Sequence, residues 1–241
     1  EWLQRESTDA GRRSARFYST NSLGAVCGAG LAGFVLVQEL GMSATLQMTA
    51  LANVVIGIAA VGLARHQSNS VQPSTAAPAP PAETKTAEAN FAWAILLVTL
   101  TGAVAMGLEV LASRCLSLIF GASLQAFATV LMSFILGIGL GSAVVASPRF
   151  KQLRHETTAI VLLLVAAGLI GLLVLTIEQW VEFYRVAKNG LARNQMGYRY
   201  HQMLAAVMSL IVLGLPAGLL GSVLPLCIRA VSGGEDSLGG R

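Results

Sequence analysis

The stretch FAWAILLVTLTGAVAMGLEVLAS, residues 91–113, decides the fold class of this chain. It contains one charged side chain, Glu109, and its apolar positions are continuous rather than alternating. A helix crosses the bilayer core with about 20 apolar residues, whereas a strand of a membrane barrel alternates over roughly ten residues. The stretch therefore predicts a transmembrane α-helix.

Five further segments share this continuously apolar character. They are about Asn21–Leu40, Ala44–Ala64, Leu124–Ala146, Thr158–Ile177 and Met203–Ile228. The composition agrees, because charged residues make up 12% of the chain, which is roughly half the share of a soluble domain, and the mean hydropathy is +0.66. We therefore predict an all-α fold, a polytopic membrane helix bundle of about six transmembrane helices.

A Pro-, Ala- and Thr-rich segment separates the second and third of these helices. Such a composition buries too little apolar area to offset its ordering entropy, so residues 67–90 are predicted to form a disordered linker. Residues 1–66 then comprise a cytoplasmic arm and a two-helix hairpin that turns at 41–43. Residues 91–241 form a four-helix membrane unit with an external loop over 178–202.

The distribution of basic residues predicts the orientation in the membrane. With the N-terminus inside, the inner segments contain eleven Lys and Arg residues and the outer segments four, and basic residues accumulate on the cytoplasmic side. Both termini are thus expected in the cytoplasm, in a bacterial inner membrane. Trp180, Phe183 and Tyr184 begin the external loop and indicate an amphipathic helix at the interface.

Side chains with catalytic or metal-binding chemistry are scattered along the sequence. Cys27, Cys115 and Cys227 each lie in a different apolar segment, without ligand spacing to one another or to a histidine. The sequence has no Ser/His/Asp set, no paired catalytic carboxylates and no P-loop. We predict no catalytic residue, no metal or cofactor site and no nucleic-acid partner for this chain.

Two glycine patterns resemble nucleotide-binding loops. GAGLAG at 28–33 matches GxGxxG, and GIGLG at 137–141 resembles a nucleotide or S-adenosylmethionine loop. Both lie inside apolar helices instead of following a strand, so the dinucleotide interpretation lacks its structural context. Glycines four residues apart let helix backbones approach closely, which favours a packing role for the pairs Gly24/Gly28, Gly137/Gly141 and Gly214/Gly218.

Three polar side chains within apolar segments form a candidate intramembrane site: Glu109, Arg114 and Asn53. A carboxylate in hydrocarbon is costly and normally faces the bundle interior or water, with a partner. Glu109 and Arg114 are five residues apart, about 140° around a helix, so they cannot form the usual i,i+4 pair. Two interpretations stay open: a proton, cation or polyamine site, or an interhelical pair that fixes packing.

Pro216 and Pro225 lie within the last apolar segment. Each proline removes a backbone hydrogen bond, so the segment is predicted to bend at these positions. Bent helices occur in transporters, but prolines are also common in membrane helices without such a role.

Several motifs together resemble one family. RFYSTNSLGAVCG at 16–28, with Tyr18, Asn21, Gly24 and Gly28, is similar to the start of a helix in membrane-fused spermidine synthase-like proteins. In those proteins an aminopropyltransferase-like domain is attached to a helical region of major-facilitator character. Further similarities follow in the family's order: GMSAT at 41–45, then Asn53, EVLASR at 109–114, FG at 120–121, GIGLGS at 137–142 with Gly137 and Gly141, and PAGLLGSVLP at 216–225 with Pro216, Gly221 and Pro225.

The resemblance implies a membrane module that anchors the enzyme and handles a cationic polyamine substrate or product. Its expected partners are the bilayer, further helices and the soluble aminopropyltransferase-like domain of the same protein. The chain then holds the tail of one helical unit and four helices of the next, with another Tyr-x-x-Asn-x-x-Gly motif expected after Arg241. The family's catalytic glycine loop and acidic residues have no counterpart here, so no catalytic residue is transferred. A major-facilitator-type secondary transporter and a structural membrane scaffold are the alternatives.

Overall fold

The computed structural model describes residues 10–68, 84–145, 147, 155–190 and 194–228. Helices dominate this part of the chain, and it contains no strand. In chain order they are α1 (Ala10–Leu31), a π-helical turn (Ala32–Leu36), α2 (Val37–Ser68), α3 (Thr84–Phe120), α4 (Leu124–Val145), α5 (His155–Leu175), α6 (Ile177–Asn189), α7 (Gln195–Ser209), a second π-helical turn (Leu210–Gly214) and α8 (Leu215–Gly221). Residues 223–228 continue as helix.

Five helical stretches in this part of the chain are long and apolar enough to cross a membrane. They are Phe17–Arg65, Ala92–Phe120, Leu124–Val145, Thr157–Leu175 and Gln195–Ile228. The first spans 49 residues, about 74 Å of helix, which exceeds the bilayer core more than twofold. The predicted all-α, multi-pass membrane fold is confirmed, with five or six crossings according to how the first stretch is counted.

The first stretch is interrupted at Gly41, the position predicted to turn. Its backbone has φ 78° and ψ 169°, a conformation open to glycine because it has no Cβ. The side chains that follow, residues 46–65, are all exposed. Within the described residues α2 does not pack along α1, so the tight two-helix hairpin stays a prediction.

The ends of two helices differ from those expected. Thr84–Asn90, assigned to the linker, is the first part of α3; its Ala, Glu and Lys residues favour helix and extend one already nucleated in the apolar segment. The last span begins at Gln195 rather than Met203, because Asn194 caps α7 by accepting the Gly197 N–H. Gln67 and Ser68, also assigned to the linker, are the last residues of α2. The rest of the predicted linker, 69–83, lies outside the described residues.

The centre of the bundle is α4, which packs against α8 on one face and α1 on the other. A Cβ on Gly137 would overlap the carbonyl oxygen of Gly214, and one on Gly141 would overlap that of Gly218. From the first contact to the second, the residue number increases by four on both helices, so α4 and α8 run parallel. Their backbones touch because the contact positions have no side chains, and the packing role predicted for Gly137/Gly141 and Gly214/Gly218 is confirmed.

On its other face α4 packs antiparallel to α1. A Cβ on Gly139 would lie 2.8 Å from that of Ser22, and one on Gly30 would lie 3.1 Å from the Met132 side chain. A helix that precedes the predicted linker therefore packs on a helix that follows it. The division into residues 1–66 and 91–241 stays a prediction, because two helical units can also pack against each other.

Gly24 and Gly28 do not contribute to this contact. No described residue lies within 4 Å of the positions that their Cβ atoms would take, so the packing role predicted for this pair does not hold within the described chain. The two glycines lie on a different side of the helix from the contact with α4. That contact is made by the face that contains Ser22 and Gly33, which are three helical turns apart. Gly24 and Gly28 point elsewhere.

The last span is interrupted close to both prolines. In the π-helical turn before Pro216, the Leu215 N–H bonds to the Leu210 carbonyl, five residues back. This wider turn accommodates a proline that cannot donate to the carbonyl four residues earlier. Ser222 forms a second turn before Pro225, and both prolines are fully buried.

Candidate functional site

A polar cavity lies at the end of the bundle where the α3–α4 turn, α6 and the start of α7 meet. Three local features shape it. Gly121 ends α3 with φ 98°, Ser123 accepts the Ala126 N–H at 3.1 Å and starts α4, and Asn194 caps α7. Two helix N-termini therefore face one cavity, and their side-chain caps fix where each helix begins.

The cavity has a volume of about 950 Å³. The described residues that line it are mostly amides and other uncharged polar groups, together with one lysine, and none of them is a carboxylate. The principal polar residues are Gln125, Lys188, Asn189, Gln195, His201 and Gln202. Because the single formal charge is positive, the cavity suits a neutral polar or anionic group and opposes a polycation.

Two residues that line the cavity, Phe120 and His201, meet Tyr184 in a cluster of three rings. The Tyr184 hydroxyl lies 2.6 Å from Nε2 of His201, and the ring centroids of Phe120 and Tyr184 are 5.0 Å apart. Tyr184 is 2% exposed, and burial raises its pKa from 10.0 to about 12. The phenol therefore stays protonated at neutral pH and joins α6 to α7 by a hydrogen bond to the imidazole.

The sequence does not predict this cluster. Its aromatic residues predict an amphipathic helix at the membrane interface that includes Tyr184. The structure contains that helix, α6, with Tyr184 on its buried side and Phe183 57% exposed. The partners of Tyr184 come from other elements, Phe120 at the end of α3 and His201 on α7. No local spacing relates such residues, so no sequence signal identifies the cluster.

The cavity's described lining offers groups that bind polar ligands. Among these residues none is a carboxylate that could orient His201 as a base, and the hydrogen bond of the imidazole is to Tyr184. Among the described residues, no three His, Cys, Asp or Glu side chains come together as a metal site. The cavity can hold a polar group against Lys188 and the surrounding amides.

The predicted intramembrane residues do not form one site in the described structure. Glu109 is partly buried on α3, whereas Arg114 and Asn53 are exposed. Asn53 is on α2, which does not pack along α3 in the described regions. No hydrogen bond or ion pair joins any two of the three, and Glu109 has no ion-pair partner among the residues described.

The residues that carry the family resemblance are distributed unequally. Gly137, Gly141, Pro216, Gly221 and Pro225 belong to the α4–α8 core, whereas Asn21, Gly24 and Gly28 are exposed and Tyr18 is partly buried. Comparison of the chain with known protein families, curated proteins and solved structures finds no match.

Proposed function

We propose that this chain is the membrane-embedded module of a spermidine synthase-like fusion protein, which anchors a soluble aminopropyltransferase-like domain to a bacterial inner membrane with both termini in the cytoplasm. One observation carries the proposal. The motif glycines Gly137, Gly141 and Gly221 all lie where α4 and α8 make backbone contact. Because these glycines let the two helices pack closely, the motif supports a packed helical unit. An anchoring module requires such a unit.

The module's second proposed role is to handle a cationic polyamine at Glu109. This carboxylate is partly buried in the span Ala92–Phe120 and forms no ion pair with a described residue. An intramembrane carboxylate is costly without a counter-charge, and a polyamine ammonium supplies one. The polar cavity is unsuited to this ligand because Lys188 is the only charged side chain among the described residues that line it.

Polyamine handling is tested by spermidine binding to the purified protein in lipid nanodiscs. Glu109→Gln keeps the shape of the side chain and removes its charge, so we expect spermidine binding to fall at least tenfold, the scale of one charge-assisted contact in a partly buried site. Glu39→Gln, at an exposed carboxylate in the first turn of α2, is the matched control and should bind as the unaltered protein does. If Glu109→Gln changes only the folding yield, Glu109 is structural.

The anchoring role is tested on the complete protein in its own membranes. We expect aminopropyl transfer from decarboxylated S-adenosylmethionine to an amine acceptor to sediment with the membrane fraction. A variant of the complete gene that lacks the region corresponding to residues 17–228 should release the activity into the soluble fraction. A complete gene that encodes only helices, without an α/β domain, would contradict the proposal.

A major-facilitator-type secondary transporter is the second candidate. The observation that favours it is the interrupted span Gln195–Ile228, with its π-helical turn and buried prolines, because transporter sites are typically built at broken helices. This candidate predicts substrate accumulation in vesicles driven by an ion gradient. A structural scaffold predicts neither accumulation nor a thermal shift with any polyamine or nucleoside.

A further inference from the structure

A second cavity lies between the last turns of α3 and the length of α6. Its volume is about 470 Å³. At one end its lining is apolar, with Leu118 on α3 and Ile177 and Val181 on α6. At the other end, about 16 Å along α6 from Ile177, it is lined by Arg185 and Lys188. The groove therefore changes from hydrocarbon to cationic character along its length.

The groove opens at the ends of two membrane spans. Ala92–Phe120 and Thr157–Leu175 both end beside α6. Apolar side chains around the opening are exposed: Leu118 is 87% exposed and Leu175 81%. Exposed apolar side chains at the end of a span contact lipid at the boundary between acyl chains and headgroups, so the groove faces lipid at that depth.

Lys188 is the unpaired cation of the groove. Arg185 donates to the Glu182 carboxylate at 2.7 Å, but both side chains are more than half exposed, and such surface pairs contribute little. Lys188 forms no ion pair with a described residue and lines both the groove and the polar cavity. No described residue that lines either cavity is a carboxylate, so the junction of the two cavities attracts an anion.

We propose that this junction binds one anionic phospholipid. An acyl chain lies in the groove along Leu118, Ile177 and Val181, and the phosphate is held by Lys188, with Arg185 beside it. The hydroxylated headgroup extends into the polar cavity, whose amides supply hydrogen bonds. A zwitterionic lipid fits less well, because its own ammonium group enters a cavity in which the described lining carries the positive charge of Lys188 and no negative charge. The inference is independent of the proposed function, since it uses neither Glu109 nor a soluble domain.

The charge requirement is tested by native mass spectrometry of the purified protein with bound lipids counted. Phosphatidylglycerol and phosphatidylcholine are titrated separately into the delipidated protein. Lys188→Gln is expected to weaken retention of one phosphatidylglycerol about fivefold, the effect of one basic residue at an anionic surface, without changing phosphatidylcholine. Arg199→Gln is the matched control, because Arg199 is exposed on α7 and lines neither cavity.

The acyl-chain requirement is tested by filling the groove. Val181→Trp occupies the apolar part of the groove and should abolish tight retention of phosphatidylglycerol with all charges intact. Val186→Trp, at an exposed position of α6 outside the groove, should leave retention unchanged. Glycerol phosphate, a headgroup without chains, should not displace the bound lipid.

Three results overturn the proposal. Equal retention of the two lipids by the unaltered protein removes the charge argument, and unchanged retention in both Lys188→Gln and Val181→Trp removes the site. Displacement by glycerol phosphate at concentrations similar to those of the lipid makes the junction a site for soluble anions. Both substituted side chains lie at the protein surface or in an open groove, and the circular dichroism of each variant verifies that it is folded.

Discussion

At the scale of single residues, Gly137 is one of the two described glycines, with Gly141, whose Cβ would come closest to the backbone of another helix. A methyl group at this position would overlap the carbonyl oxygen of Gly214, so α4 and α8 would have to separate. We expect Gly137→Ala to lower the free energy of unfolding by about 1–3 kcal/mol, the range for overpacked sites. Reversible unfolding in mixed micelles measures this value.

Gly168→Ala is the matched control for that substitution. Gly168 lies on α5, and no described atom is within 4 Å of the position its Cβ would take. Alanine is favoured over glycine in a helix by about 1 kcal/mol, so this variant should be equal to or more stable than the unaltered protein. Equal losses in the two variants would show that α4 and α8 are not in backbone contact.

Tyr184 gives a prediction in the alkaline range. Burial raises its pKa from 10.0 to about 12, so the unfolded chain loses this proton at lower pH than the folded chain does. The resulting stabilisation is complete below pH 10 and is lost as the pH rises through about 12. The tyrosinate absorbance of the folded protein should therefore contain a late step that Tyr184→Phe removes. A titration above pH 10 that this substitution leaves unchanged would contradict the buried position of the ring.

At the scale of the elements, the π-helical turn Leu210–Gly214 sets the rotation of α7 relative to α8. Removing one π turn rotates the preceding helix by about 100°. Pro216→Ala restores a backbone N–H and permits a regular α-helix through the turn. We expect this variant to turn His201 and the adjacent face of α7 away from Tyr184. The phenol then loses the burial that raises its pKa, so the late step in the tyrosinate titration moves towards pH 10, the ordinary pKa of tyrosine.

Pro225→Ala separates this effect from a general loss of stability. Pro225 is also fully buried but follows the π turn, so its removal should leave the titration of Tyr184 unchanged. A late tyrosinate step that survives in Pro216→Ala would show that packing of α4 against α8, rather than the proline, maintains the π turn.

The elements also show which features the sequence can predict. Long apolar segments identify membrane helices because the bilayer imposes a length and excludes charge. Helix ends lack such a constraint. The first turns of α7 are polar and start at the Asn194 cap. Helix α3 likewise extends back to Thr84 through polar residues and alanines. Hydropathy therefore places the start of both helices too late in the sequence.

At the scale of the whole molecule, the sequence does not predict which helices pack against each other. Glycine spacing identified Gly137/Gly141 as a packing face, and the structure pairs that face with Gly214 and Gly218. The same four-residue spacing predicts a packing role for Gly24/Gly28, but α1 contacts α4 through the face that includes Ser22 and Gly33. Which helix faces meet depends on all the helices together, and for the same reason the Tyr184–His201 pair has no local signature.

The central claim is that α4 lies in the middle of the bundle, between α8 and an antiparallel α1. Cysteine cross-linking in native membranes tests it most directly, in a chain whose own cysteines, Cys27, Cys115 and Cys227, are replaced by serine. We predict that Ser22→Cys with Gly139→Cys forms a disulfide under mild oxidation, because the two Cβ positions are adjacent. Ser22→Cys with Leu140→Cys, one residue further around α4 and exposed, should not. Equal cross-linking of both pairs, or of neither, would contradict the arrangement.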